Sequence, residues 1–122
     1  MHKILVVDDE KEIRDMIMRF LRIKGYEVYL AEDGLETIHK MTTDNFDLLI
    51  MDLQMPGIKG QEIIEQFRKS KKEIPVIILT GTIDDDVFEI LRKLGFSSND
   101  IIGKPVDLFE ILKKIKEKLP DE

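Results

Sequence analysis

Four apolar runs in this chain end in residues that can do chemistry. Ile4-Leu5-Val6-Val7 leads into Asp8-Asp9-Glu10, and Leu48-Leu49-Ile50-Met51 leads into Asp52. Val76-Ile77-Ile78-Leu79 ends in Thr80, and Ile101-Ile102-Gly103 runs into Lys104-Pro105. Laid side by side as parallel strands, these runs bring Asp8, Asp9, Asp52, Thr80 and Lys104 to one sheet edge. Crowded carboxylates repel one another unless a cation or protons compensate. A hard divalent cation such as Mg2+ takes oxygen ligands and keeps several waters, so one or two carboxylates hold it. Asp9 and Asp52 are assigned as direct ligands, Asp8 as a ligand through water, and the main-chain carbonyl of Gln54 as a third protein ligand. A phosphoryl group in transfer spreads its charge over three oxygens. The metal would take one, Lys104 a second, and Thr80 with a nearby main-chain N–H the third. Asp52 is then the nucleophile that forms an acyl phosphate.

Each residue alone also has an ordinary structural reading. Asp9 with Glu12 three positions on resembles a capping box, and acids suit the first turn of a helix. Asp52 precedes Leu53-Gln54-Met55-Pro56-Gly57 and could be a turn residue. A threonine at a strand end and a lysine before proline are both common. Their joint placement at four strand ends favours chemistry.

The elements that must position them alternate between strand and helix. Strands are predicted at 3–7, 26–31, 47–51, 75–79 and 100–103. The first helix spans 10–24, with Ile13, Met16, Ile17, Phe20 and Leu21 on one face, and Gly25 stops it. A second at 34–43 turns Leu35, Ile38 and Met41 inward. A third runs from about Gln61 to Lys69, with Ile63, Ile64 and Phe67 apolar. The fourth opens at Asp84-Asp85-Asp86 and carries Val87, Phe88, Ile90, Leu91 and Leu94. The last spans about 107–118, with Leu108, Phe109, Ile111, Leu112 and Ile115. Strands as continuously apolar as 48–51 and 76–79 are covered on both faces, so the sheet is parallel with helices on both sides. Five units are too few for a closed barrel. The expected fold is an open, doubly wound α/β sheet whose ligands bind outside the carboxyl ends of the strands.

The 122 residues fit a single domain, 1–122. The chain is 43% apolar and 36% charged, with net charge −6. That balance argues against direct nucleic-acid binding. With no cysteine, disulfides, thiolate metal sites and thiol nucleophiles are excluded. His2 and His39 are far apart and make a poor metal pair. No apolar run approaches the ~20 residues that span a membrane, and no secretory signal precedes the first strand. A cytoplasmic location with no membrane contact is expected.

The chain resembles the receiver domain of two-component response regulators, the CheY-like group, in Asp8-Asp9, in Asp52 within DLQMPGIKG, in Thr80 within LTG, and in Lys104-Pro105. The likeness runs from Lys3 to about Leu119. It implies a flavodoxin/CheY-like sheet of strand order 2-1-3-4-5 flanked by five helices. It implies that Asp52 takes phosphate from the phosphohistidine of a histidine kinase, with Mg2+ required and Mn2+ as an alternative, and that small donors such as acetyl phosphate also serve. Such a domain assists its own phosphorylation and dephosphorylation and is not otherwise an enzyme. A cis bond before Pro105 is also implied, aiming Lys104 at the site. Gln54 and Thr82 stand where the family tunes access of the hydrolytic water, and neither is acidic. Three departures stand out. Ile101 occupies a position where the family often has a switching aromatic, the segment 95–100 is longer than usual, and Lys59 stands where aspartate is frequent.

Phosphorylation is expected to shift a population through Thr80 and Lys104, with the fourth helix, fifth strand and fifth helix as the moving face. With no effector domain after Leu119, the expectation is a stand-alone receiver or the front of a longer regulator. Its partners would be a histidine kinase or histidine phosphotransfer protein and an unidentified output protein, and its state a monomer or a phosphorylation-dependent dimer. Three alternatives stand beside this reading. An aspartyl-phosphate phosphatase or phosphotransferase usually carries an acid where Gln54 stands. A flavodoxin-like nucleotide or flavin module needs a phosphate loop in place of Asp8-Asp9-Glu10-Lys11. A receiver-like binding module that works without phosphorylation would have no need of the acceptor set.

Overall fold

The computed structural model describes residues 1–53, 62, 65, 74–81 and 84–120. In chain order these form β1 (Lys3–Val7), α1 (Lys11–Ile23), β2 (Glu27–Ala31), α2 (Gly34–Thr43), β3 (Leu48–Asp52), β4 (Val76–Thr80), α3 (Asp85–Lys93), a 3-10 turn (Ser98–Asp100), β5 (Ile101–Gly103) and α4 (Leu108–Lys118). Five helices were expected; the described residues hold four and the turn. The helix expected near 61–69 lies outside them, apart from Glu62 and Glu65, which are helical. Lys59 also lies outside.

The strands form one parallel sheet in the order β2-β1-β3-β4-β5. Every side chain of β3 and β4 is buried, as their apolar composition requires when both faces are covered. Alternate residues serve alternate faces. Leu5, Val7, Leu49, Met51 and Ile78 pack with Met41 of α2 and Leu91 of α3. Ile4, Val6, Leu48, Ile50 and Ile77 pack with Ile17 and Leu21 of α1 and with Ile111 and Ile115 of α4. The chain leaves β1 with β2 on one side and β3 on the other. The topological switch point therefore lies beside Asp8.

Three helices begin on an aspartate. Asp33, Asp84 and Asp107 accept from the main-chain N–H groups of Glu36, Val87 and Phe109, donors that the helix itself leaves unpaired. Gly25 and Gly95 follow α1 and α3 at φ 97° and 93°, a left-handed conformation that costs a glycine little. Segment 95–100 is an ordered turn. Asp100 accepts from the Ser97 N–H and pairs with Lys118, while Lys114 Nζ donates to the Asn99 carbonyl at 2.8 Å.

The inward assignment of Leu35 fails, and three other apolar stripe residues face solvent. Leu35 and Phe109 are each 71% exposed, and Met16 and Ile90 are also exposed. On α2 the inward face is Gly34, Thr37 and Met41. Phe109 instead meets Phe20 edge to face at 5.6 Å on the outer side of α1 and α4.

Candidate functional site

β1, β3, β4 and β5 deliver their last residues to the same sheet edge. The register sets Val7 beside Met51, Asp52 beside Leu79, and Thr80 beside Gly103. Asp8 is 0% exposed, Asp52 2% and Thr80 1%, whereas Asp9 and Glu10 are exposed at the rim. Asp8, Asp9 and Glu10 can each present an oxygen within 4.8 Å of the others.

Lys104 ties the cluster together. Its main-chain N–H donates to the Thr80 carbonyl at 2.8 Å, extending the β4–β5 ladder by one step. The Lys104–Pro105 bond is cis. The ammonium stands 2.9 Å from Asp52 Oδ2, 3.1 Å from Asp8 Oδ2 and 3.3 Å from Glu10 Oε1. Burial by itself would lower the Lys104 pKa. The hydrogen bond to Asp52 and the ion pair with Asp8 outweigh it, and the pKa is raised. Burial raises the Asp8 pKa, with the nearby Asp52 charge adding to it and the Glu10 N–H and Lys104 opposing it.

The loop after β1 differs from the capping expectation. The N-cap of α1 is Glu10, without a side-chain cap, and Asp9 forms no capping box with Glu12. Asp8 Oδ1 takes the Glu10 N–H instead, at 2.9 Å. The other oxygen, Asp8 Oδ2, is buried and receives no hydrogen bond of acceptable direction, although Lys104 is near. A buried carboxylate oxygen without a donor is costly. A water held by a divalent cation would supply that donor, so the residue set fits a hydrated hard cation.

Buried acidic groups, a pinned lysine and a buried threonine at the C-terminal edge of a 2-1-3-4-5 parallel sheet accompany a match of residues 4–116 to the response regulator receiver domain. The chain belongs to that family. Among curated proteins, this receiver is 35% identical over 114 residues to response regulator MprA of Mycobacterium avium and to MprA of Mycobacterium tuberculosis, covering 93% of this chain and 49% of theirs. The chain thus spans about half the length of the curated relatives it matches. Among solved structures, chemotaxis protein CheY4 of Vibrio cholerae superposes with a TM-score of 0.88 at 31% identity, covering 98% of this chain and 99% of that one. Response regulator TrrA of Thermotoga maritima, solved in complex with Mg2+ and BeF, superposes with a TM-score of 0.84 at 35% identity, over 98% and 100% of the two chains.

The structure brings Asp8, Asp52, Thr80 and Lys104 of the receiver together and puts Asp9 at their exposed rim. Pro105 follows Lys104 across the cis bond. Ile101 stands behind the site. It is 8% exposed and packs in the cluster that includes Leu91, Phe96 and the half-buried Val87 and Phe88. Gln54 and Thr82 lie outside the described residues. Two participants were not foreseen as such. Glu10 was read only as a first-turn acid, and Arg14 was not singled out. Arg14 Nη1 donates to the Asp8 carbonyl at 2.8 Å. Its signal was available in principle: it follows Glu10 by four, so it lies one helical turn above the acidic loop.

Among the described residues, no helix is long and apolar enough to cross a membrane.

Proposed function

We propose that this receiver accepts a phosphoryl group on Asp52 from the phosphohistidine of a histidine kinase or histidine phosphotransfer protein. Mg2+, or Mn2+ in its place, would be held by Asp9, Asp52 and the Gln54 main-chain carbonyl, with Asp8 acting through water. The observation that carries the reading is the Lys104 ammonium 2.9 Å from a nearly buried Asp52 carboxylate, beside an Asp8 oxygen that lacks a donor. The Mg2+ and BeF bound in the structure of TrrA support it.

An Asp52 oxygen attacks phosphorus, the P–N bond breaks with its electron pair staying on the imidazole, and a P–O bond forms as an acyl phosphate. An ion held by these residues would supply positive charge to the phosphoryl oxygens. Lys104 already stands where a second oxygen would arrive, and it can follow the charge from carboxylate to phosphoryl. The Thr80 hydroxyl takes the third. Asp8, 3.1 Å from the ammonium, keeps Lys104 from swinging out to solvent.

The protein acts as a phosphoacceptor and does not turn over external substrates. Its signal is a shift in the segment after Thr80, α3, β5 and α4, read by an output protein in the cytoplasm. Any dimer forms on phosphorylation. The net charge of −6 leaves direct nucleic-acid contact to other modules.

Intact mass after incubation with acetyl phosphate and Mg2+ tests the reading. One added phosphoryl is expected on the parent, and none on Asp52→Ala or after chelation. An unmodified parent, or an adduct that survives in Asp52→Ala, would remove the assignment.

A further inference from the structure

The acidic loop must keep a fixed shape although Asp9 and Glu10 are exposed and like-charged. Arg14 touches it twice. Its main-chain N–H donates to the Glu10 carbonyl at 3.1 Å, and its guanidinium donates to the Asp8 carbonyl at 2.8 Å. Those two carbonyls flank Asp9. The Asp8 oxygen belongs to the planar peptide that carries the Asp9 N–H, so holding it sets the direction in which Asp9 leaves the loop. The guanidinium is itself constrained. Its side chain is only 12% exposed, and Nη2 lies 3.8 Å from Glu32 Oε2 just beyond β2. The Asp8 N–H completes the link by donating to the Ala31 carbonyl at 3.3 Å.

We propose that Arg14 is a positioning residue for the divalent-cation site, fixing the Asp8–Asp9 peptide so that both carboxylates face the metal at once. This rests on the phosphoacceptor reading above. The sign of the effect separates positioning from simple charge. A guanidinium near a cation repels it, so if charge alone mattered, removing Arg14 would tighten metal binding. If position matters, removing it weakens binding, and groups behind metal ligands typically contribute 10–100-fold. Lysine separates the two further. It keeps the charge but lacks the planar fork that spans the Asp8 carbonyl and Glu32.

The experiment measures Mn2+ affinity from the free-ion signal in electron paramagnetic resonance, for the parent, Arg14→Gln and Arg14→Lys. Urea unfolding in EDTA checks each fold, and intact mass after acetyl phosphate and Mg2+ checks the acceptor. About tenfold weaker Mn2+ binding is expected in both variants, with unfolding midpoints near the parent. Equal or tighter binding in the variants, with a parent that binds Mn2+ and is phosphorylated, overturns the role of Arg14 alone. A parent that neither binds Mn2+ nor takes phosphate overturns the phosphoacceptor reading, and this inference with it. Loss of folding in both variants also overturns it, because Arg14 would then serve the fold and not the site.

Discussion

Lys104 Nζ reaches Asp52 Oδ2 at 2.9 Å although 52 positions separate the two residues in the chain. They do not sit on neighbouring strands. β4, which ends in the buried Thr80, lies between β3 and β5, so the lysine reaches across the end of β4 to make the contact. The ladder bond from the Lys104 N–H to the Thr80 carbonyl holds the base of that path. Lys104 therefore joins the Asp52 carboxylate to the end of β5.

Replacing Lys104 by alanine leaves two buried carboxylates without their cation. Removing one partner of a buried charged hydrogen bond costs about 1–3 kcal/mol. The site opens at its rim through Glu10, so water will soften the loss. Lys104→Ala is expected to lower metal-free stability by that amount in urea unfolding at neutral pH, while Asp52→Asn, which removes a charge from the same cluster, is expected to cost less. Equal stability of parent and Lys104→Ala would mean that the ammonium contributes little to the fold.

The pH dependence has a definite sign. Burial raises the Asp8 pKa above its value in the unfolded chain. The native state then binds the proton more tightly than the unfolded state. The associated stability is present at low pH and is lost as pH rises through the folded Asp8 pKa. Lys104 is also raised, so its contribution persists through neutral pH and is lost only above the ordinary lysine range. Asp8→Asn should remove the Asp8 contribution, leaving the opposite slope of the depressed Asp15, Asp44, Glu89 and Asp100, and raise metal-free Tm at neutral pH. A gain of about 1 kcal/mol, or roughly 4 °C for a domain of this size, is the expected scale. Calorimetry in EDTA between pH 3 and 8 (a range chosen to bracket the carboxylate pKa values) checks both the slope and its loss.

The strands and their chemistry were legible because strand-end position follows from the run of apolar residues. Val6-Val7 before Asp8 and Ile50-Met51 before Asp52 had to be buried, and a parallel sheet then leaves each acid at the same edge. Helix faces were less legible. Leu35 was expected inward at helical spacing, but Gly34 and Thr37 pack against the sheet and turn Leu35 out. Amphipathic periodicity locates a stripe but not its margin. The first loop shows the same limit for its ordinary structural reading. Asp9 and Glu12 have capping-box spacing, yet the buried Asp8 takes the Glu10 N–H, and α1 begins without a side-chain cap. Arg14 was harder to see because its partner is a main-chain carbonyl, which carries no mark in the sequence, and only its spacing from Glu10 pointed to it.

Divalent cation should stabilise the folded receiver by mass action. A ligand at a hundredfold its Kd adds about 2.7 kcal/mol to a fold that alone binds it. Mg2+ is expected to raise Tm in the parent. Asp9→Asn should lose that increment with little change in EDTA, because Asp9 is exposed and contributes little to the core. Asp8→Asn should lose part of it. Thermal scans with and without Mg2+ measure all three, and an undiminished increment in Asp9→Asn would remove Asp9 from the ligand set.

Ile101 tests how far the signal depends on packing behind the site. It pairs with Ile78 in the β4–β5 ladder and sits in the same cluster as Leu91 of α3. Ile101→Val should cost about 0.5–1.5 kcal/mol and Ile101→Ala about 2–5 kcal/mol, as for other buried aliphatic truncations. Neither removes a group that touches Asp52, so both variants should still take one phosphoryl in the intact-mass assay. Loss of the adduct in a folded Ile101→Val would place this residue in the acceptor chemistry itself.

Thr80 separates accepting the phosphoryl group from signalling its presence. Its side chain is 1% exposed at the end of β4, and Gly103 lies opposite it in β5. A charge-assisted hydrogen bond from its hydroxyl to a phosphoryl oxygen is worth about 1.5–3 kcal/mol. Each 1.4 kcal/mol is roughly tenfold in population, so that bond alone can move a two-state balance by about one to two decades. Thr80→Ala removes it while leaving Asp52 and Lys104 in place. The variant is expected to take one phosphoryl by intact mass but to lose most of the phosphate-linked change in amide exchange over residues 84–103, and Thr80→Ser should recover it. A Thr80→Ala variant whose exchange still shifts as the parent's does would move the switch off this hydroxyl and onto Lys104, the remaining link between Asp52 and β5.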